Sequence, residues 1–173
     1  MRPSALVDHG ARFRDVCAEL PAAVCVVTGT GPGGLYGATV SSMCSVSLDP
    51  LIVLVCLDNR SSTLAAVLQS GSFAVNALHA GQNDVASRFA SRVDGATKYQ
   101  GVPHRIRDGV PVLDDALGWF VCDVAQPHLS GDHTILTGLV RAVGGSDGEP
   151  LLWHRRTFRG LTPETPSSGQ VQR

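Results

Sequence analysis

Between Val24 and Val40 the chain reads VCVVTGTGPGGLYGATV. This segment decides between a strand followed by a helix and a strand followed by a second strand. Its β-branched start, residues 24–28, is typical of a strand. Residues 29–34 match the Gly-x-Gly-x-x-Gly pattern of dinucleotide-binding proteins, where a helix must follow to hold the pyrophosphate. Here the strand-like residues 35–40 follow instead, and Pro32 favours a turn. The segment therefore predicts a β-hairpin that turns within residues 29–34.

The remaining chain continues this strand-rich pattern. Apolar runs predict further strands at residues 51–57, 73–78, 117–124, 133–143 and 151–154. The strand at 51–57 is expected to be buried on both faces. Apolar spacing and capping residues predict helices at 11–20, at 64–68 between a serine N-cap (Ser61 or Ser62) and Gly71, and at 82–90. Residues 91–110 are predicted to form a surface excursion.

About seven strands with two or three short helices lack the crossover helices that a parallel doubly wound sheet needs. We therefore predict a mainly β fold, an antiparallel, Greek-key-like barrel with a few peripheral helices. Residues 1–10 are predicted to be flexible, 11–161 to form one folded domain, and 162–173 to be disordered because they are rich in Pro, Ser, Thr and Gln.

The composition argues against several classes of protein. The chain has 173 residues, 43% hydrophobic and 17% charged, with a formal net charge of −1, so no nucleic-acid-binding surface is expected. No apolar run reaches the roughly 18 residues of a membrane helix, and the start lacks the apolar core of a signal peptide. These features predict a cytoplasmic protein. The five cysteines contain no Cys-x-x-Cys pair, and four lie in apolar runs that predict burial in the core.

Residues 59–63, Asn-Arg-Ser-Ser-Thr, lie between a predicted strand and a predicted helix. The first N–H groups of a helix lack intrahelical partners and carry partial positive charge. With Arg60, Ser61, Ser62 and Thr63 around them, they form a candidate phosphate site. Plain helix capping would use the same serines, and this alternative stays open.

Residues 39–47 are rich in hydroxyl groups although apolar strands flank them. Alternation of Ser45, Val46 and Ser47 would place the two serines on one side. A polar, uncharged edge of this kind suits the oxygens and nitrogens of a heteroaromatic ring, whereas a loop satisfied by its own backbone is the alternative. The candidate ring-binding residues here are Thr39, Val40, Ser41, Ser42, Ser45, Val46 and Ser47.

Three downstream residues are further candidates for the same site. Phe89 would stack on a ring, although its helical spacing favours a core position. Lys98 and Tyr99 would close over a phosphate or a ring, and a solvated loop is the alternative.

The corner Gly131-Asp132-His133-Thr134 places one histidine at the mouth of a predicted strand. Histidine serves as acid, base or hydrogen-bond donor near pH 7, while a turn histidine bonded to a nearby carbonyl is the alternative. Metal hydrolysis by His128, Asp132, His133 and His154 lacks the usual ligand spacing. A serine hydrolase lacks its Gly-x-Ser-x-Gly elbow.

Taken in order along the chain, these motifs resemble the short-chain flavin reductases, the reductase components of two-component flavin monooxygenases. The resemblance covers roughly residues 13–161. It rests on the segments 24–28, 37–42, 45–50, 54–57, 60–63, 73–76, 88–90 and 131–135. The chain departs from the family pattern at Ser41, where many members have asparagine, at Cys44 and at Leu51.

The resemblance implies a split β-barrel that binds FMN or FAD as a homodimer, with the flavin near the subunit interface. It implies hydride transfer from NADH or NADPH to the flavin, and a separate oxygenase component that receives the reduced flavin. By position, Thr39, Ser41, Ser42 and Ser45 would line the flavin, and Ser61, Thr63 and Lys98 would hold its phosphate. His133 would contact the nicotinamide nucleotide, with Asp132 shaping its turn. Because hydride transfer needs no general base, His133 is expected to bind and orient. A flavin carrier without reductase activity is the alternative function.

Overall fold

A computed structural model describes residues 8–161 and confirms a mainly β architecture. The predicted tail 162–173 and the first seven residues of the predicted flexible start lie outside this range. The described residues contain four helices: α1 His9–Ala18, α2 Ser62–Ser70, α3 Asn83–Ala90 and α4 Gly95–Tyr99. They contain twelve strands: β1 Ala22–Ala23, β2 Cys25–Gly31, β3 Gly34–Val40, β4 Cys44–Leu48, β5 Leu51–Asp58, β6 Ser72–Ala77, β7 His104–Arg107, β8 Val110–Leu113, β9 Gly118–Ser130, β10 His133–Gly145, β11 Leu152–His154 and β12 Thr157–Arg159.

Seven strands form one antiparallel sheet in the order β3-β2-β6-β9-β10-β5-β4. Its two edge strands, β3 and β4, are consecutive in the chain and are joined by only residues 41–43. In a flat sheet six steps of about 4.8 Å would separate them by about 29 Å, whereas this connection spans at most about 14 Å. The sheet must therefore curl until its edges meet, which produces a barrel with an open seam.

The hairpin predicted at residues 24–40 is confirmed, with a shorter turn than expected. β2 pairs with β3 from Cys25↔Val40 to Gly31↔Gly34, so only Pro32 and Gly33 form the turn. Gly34 has a φ of +108°, a conformation that favours glycine. The Gly-x-Gly-x-x-Gly pattern thus belongs to strand ends and opens no helix.

The barrel core contains alternate residues of several strands. Val27, Val55, Phe73 and Leu136 are fully buried there, together with residues of α2. The opposite face of β2 packs through Val26 against a second core beneath α3 and α4.

Three local predictions are wrong. β5 is not buried on both faces, since its exposure alternates along the strand and Leu51 is exposed. Residues 91–110 are not a simple excursion, because they contain α4 and β7. Only Cys25 and Cys122 are buried cysteines, whereas Cys17 and Cys44 are exposed. Burial raises the pKa of the Cys25 thiol to about 12.

The N-terminal helix differs from its prediction in both position and packing. Asp8 caps it by accepting hydrogen bonds from Gly10 and Ala11, so it starts two residues earlier than expected and ends at Ala18. Its predicted apolar face is on the surface of the chain, where Phe13 is 69% exposed. Apolar periodicity predicted the helix correctly, but Phe13, Val16 and Leu20 of this face stay exposed.

Candidate functional site

A cleft lies at the seam of the barrel, where the end of β3 approaches the start of α2. One hollow of about 430 Å³ reaches from the Ala38–Thr39 end of β3 to α2, α3 and α4. A second of about 320 Å³ continues along β5 to His133. The two share Ala38, Thr39, Asp58 and Ser61, so they form one continuous cleft. The predicted site residues that line it are Thr39, Val40, Ser41, Ser42, Arg60, Ser61, Ser62, Phe89, Lys98 and His133.

One end of the cleft is the first turn of α2. Ser61 is the N-cap in an extended conformation, and its Oγ accepts a hydrogen bond from the Thr63 amide at 3.2 Å. The capping prediction is therefore confirmed, and Ser61 and Ser62 also face the cleft. Thr63 is buried and lines neither hollow, so only its neighbours present hydroxyl groups to a ligand.

Three cationic side chains surround this end. The guanidinium of Arg60 is paired with Asp58 through Nε at 3.1 Å and Nη2 at 2.9 Å. The hydrogen bonds from Arg60 hold the pKa of the Asp58 carboxyl well below its ordinary value. Arg92 lines the same hollow and is exposed. The sequence predictions missed Arg92, because it follows the end of α3 and no periodicity marks it.

Lys98 lies at the floor of the cleft rather than in a solvated loop. Its Nζ donates to the carbonyl oxygens of Gly37 at 2.9 Å and Phe89 at 3.2 Å. Burial lowers the pKa of this ammonium. An ammonium has three N–H donors, so the two carbonyl bonds leave one donor for a ligand in the cleft.

The aromatic candidates have mainly structural contacts. Phe89 is buried and meets the ring of Tyr99 edge-on, with 5.0 Å between centroids, while it also lines the cleft. The hydroxyl of Tyr99 donates to the carbonyl oxygen of Tyr36 at 2.9 Å, and Tyr99 does not line either hollow. Tyr99 thus supports the floor of the cleft from below.

Some hydroxyl groups between β3 and β5 are hydrogen-bonded within the fold, and others are exposed to the cleft. Thr39 Oγ1 donates to the Ala86 carbonyl at 2.7 Å. Ser42 Oγ accepts from the Cys56 amide at 2.8 Å and donates to the Cys56 carbonyl at 3.2 Å. Ser41 is exposed and lines the cleft.

The serines of β4 do not line the cleft, and their predicted shared face is wrong. The register of β4 shifts between Ser45 and Ser47, so that Ser45 lies opposite Val53 and Ser47 opposite Ile52. Consecutive residues of a strand point to opposite faces, so a bulge at Val46 separates the two serines. Ser47 Oγ accepts a hydrogen bond from the Asp49 amide.

The other end of the cleft carries His133 at the start of β10. Its Nδ1 lies 2.8 Å from Asp132 Oδ1, and this hydrogen bond lowers the pKa of the Asp132 carboxyl. The bond leaves Nε2 of the imidazole available to a ligand. His133 is the register partner of Asp58 on β5, so the sheet brings the backbone of the histidine beside the Arg60 pair. Asp132 does not line either hollow.

A metal-binding cluster or a membrane-spanning helix among residues 8–161 would change the class of site. These residues contain no group of three or more His, Cys, Asp or Glu side chains arranged to hold a metal ion. None of their helices combines the length and apolar character needed to cross a bilayer.

Comparisons with known proteins agree on one family. The sequence model of the flavin reductase-like domain matches residues 17–162. FMN reductase (NADH) RutF 1 of Methylorubrum extorquens strain PA1 is 40% identical over 163 residues, which cover 93% of this chain and 80% of that protein.

Two solved structures share the fold. Component B of nitrilotriacetate monooxygenase from Mycobacterium thermoresistibile superposes with a TM-score of 0.87 at 32% identity, covering 94% of this chain and 92% of that one. NADH:FAD oxidoreductase SgcE6 of Streptomyces globisporus C-1027 superposes with a TM-score of 0.86 at 31% identity, covering 94% and 100%.

Proposed function

This chain belongs to the flavin reductase-like domain family, and from that premise we propose that it transfers hydride from NADH to FMN or FAD and passes the reduced flavin to a separate oxygenase component. The observation that carries the proposal is the seam cleft, which joins a cationic, helix-capped end to a histidine at the opposite end. Relatives of the family include an FMN reductase using NADH and a monooxygenase component.

The cleft has the donors that a phosphorylated flavin requires. Arg60, Arg92 and the first turn of α2 supply positive charge and N–H groups for a phosphate. Ser41 and the backbone edge of β3 supply uncharged polar contacts for the ring. The residues therefore fit a flavin, which when bound accepts hydride from a nicotinamide stacked on it.

His133 binds and orients the nicotinamide nucleotide in this proposal. The Asp132 carboxylate fixes the imidazole through Nδ1, so Nε2 is held in one direction. Since the flavin takes the hydride directly, His133 transfers no proton in this step. We assign its contribution to nicotinamide affinity.

We also propose that the chain acts as a homodimer in the cytoplasm, where NADH is available. Apolar side chains are exposed on α1 and on the β4–β5 hairpin, with Phe13 at 69% and Leu48 at 85% exposure. Burial of such side chains against a second copy would be favourable. Sedimentation equilibrium should give twice the 18.1 kDa chain mass, and a purely monomeric chain would contradict this part.

A spectrophotometric assay tests the proposed reaction. The loss of NADH or NADPH absorbance is followed with FMN, FAD and riboflavin in turn. We expect turnover with NADH and a higher KM for riboflavin, because riboflavin lacks the phosphate that the cationic end would bind. Flavin binding without any turnover would instead favour a flavin carrier.

A further inference from the structure

Asn59 joins the two ends of the cleft through three hydrogen bonds. Its amide donates to the Asp132 carbonyl at 3.0 Å, and its side-chain Nδ2 donates to the Gly131 carbonyl at 3.0 Å. Its Oδ1 accepts from Thr134 Oγ1 at 2.8 Å. Both polar groups of the side chain are therefore used on the turn between β9 and β10 and on the first residues of β10.

Asn59 lies in the chain immediately before the residues that start α2. Asn59 directly precedes Arg60 and Ser61 at the start of α2, and the turn that it holds carries Asp132 and His133. Thr134, the partner of its Oδ1, is only 7% exposed. One side chain thus connects the proposed phosphate end to the proposed nicotinamide end.

The two ends differ in how firmly they are held otherwise. The start of α2 has its own supports, namely the Ser61 cap and the Asp58–Arg60 pair. The turn is exposed, with the Asp132 side chain 92% accessible, and Gly131 adopts the left-handed φ of +64°. His133 follows it as the terminal pair of the β10 ladders with β5 and β9. Loss of the Asn59 bonds should therefore loosen the turn rather than the helix.

We propose that Asn59 is a positioning residue that sets where His133 stands relative to the first turn of α2. The inference rests on the proposed function, in which His133 binds the nicotinamide nucleotide. A looser turn would let the imidazole leave its binding position without altering the flavin contacts. The histidine would still be present, but it would no longer be held in the right place.

Two variants remove the bonds from opposite sides. Asn59→Ala removes the Nδ2 and Oδ1 contacts, and Thr134→Val removes only the hydroxyl donor while conserving the side-chain shape. Thr137→Val is the matched control, because Thr137 lies on the same strand and donates to the Gln126 carbonyl on β9.

We expect Thr134→Val, which loses one hydrogen bond, to raise the KM for NADH by about fivefold, and Asn59→Ala, which loses two, to raise it by about tenfold. Both kcat and the flavin Kd should change by less than about twofold. Because the Thr134 bond is contained in the Asn59 set, the double variant should resemble Asn59→Ala alone. Thr137→Val should keep the KM of the original chain.

Hydrogen–deuterium exchange gives a readout that needs no turnover. Amides of residues 129–135 should exchange several-fold faster in Asn59→Ala and Thr134→Val than in Thr137→Val. Unchanged exchange in both variants would overturn the inference, as would an equal rise of KM in all three. A chain that exchanges as expected but never oxidises NADH would refute the proposed function, and with it the nicotinamide role, while leaving the hold on the turn established.

Discussion

Ser41 and Ser42 are adjacent serines that should respond oppositely to removal of the hydroxyl group. The backbone pairing of β4 with β5 ends at Cys44↔Leu54. Two residues further along β5, the Ser42 hydroxyl bonds both the amide and the carbonyl of Cys56. This side chain therefore takes the place of a backbone partner from β4. Ser41 lines the cleft and does not take part in these hydrogen bonds to Cys56.

Alanine at position 42 leaves the amide and carbonyl of Cys56 without this partner at a half-buried site. Such a loss costs about 1–2 kcal/mol, which for a domain of this size lowers Tm by about 2–8 °C. The flavin Kd should stay within about twofold, because the lost contacts are internal. Ser41→Ala should keep Tm and raise the flavin Kd by roughly threefold to tenfold through loss of one ligand hydrogen bond.

Differential scanning fluorimetry and quenching of flavin fluorescence measure the two quantities on the same samples. A Ser42→Ala chain with unchanged Tm and weakened flavin binding would show that the hydroxyl contacts the ligand. The seam would then be held together by something other than this serine.

Three further results are expected. His133→Ala should raise the KM for NADH roughly tenfold with little change in flavin Kd, and steady-state kinetics showing the original KM would refute its binding role. Lys98→Met should lower the free energy of unfolding by about 2 kcal/mol, because two carbonyl acceptors lose a charged donor; urea unfolding checks this, and weaker flavin binding at unchanged stability would place its work at the phosphate. Asp58→Asn should lower stability at neutral pH only. Because Arg60 depresses the pKa of Asp58, the ion pair stabilises the fold above the ordinary carboxyl pKa of 3.8, and this stabilisation is lost as the pH falls below that value. Unfolding of the two chains should therefore differ at pH 7 and be alike in strong acid.

Most of the strand pattern was accessible from the sequence because it depends on neighbours in the chain. The hairpin around Pro32 and the Ser61 cap were predicted from local residue types and are present. β8, a short strand of fully buried residues, was missed. No alternation marks such a segment.

The site was predictable as a set of segments rather than as a set of contacts. Arg60 and Ser61 are more than 70 residues from His133 in sequence, yet all three line one cleft, as the resemblance implied. Two roles became visible only in the structure: the Tyr99 hydroxyl bonds the Tyr36 carbonyl beneath the cleft, and the Asn59 side chain bonds the Gly131 carbonyl. Such roles depend on partners more than 60 residues away, and no local spacing reports them.

The sequence by itself determined the antiparallel strands, the capped helix and the histidine at its turn, since turn residues and side-chain periodicity act over a few positions. The tertiary structure alone decided which hydroxyl groups face the cleft and which are bonded within the fold. Ser41 and Ser42 are the same residue type in the same segment, so no local pattern distinguishes them. Only the curling of a seven-stranded sheet, which brings the end of β3 against β5, gives Ser42 a backbone to bond and leaves Ser41 open to a ligand.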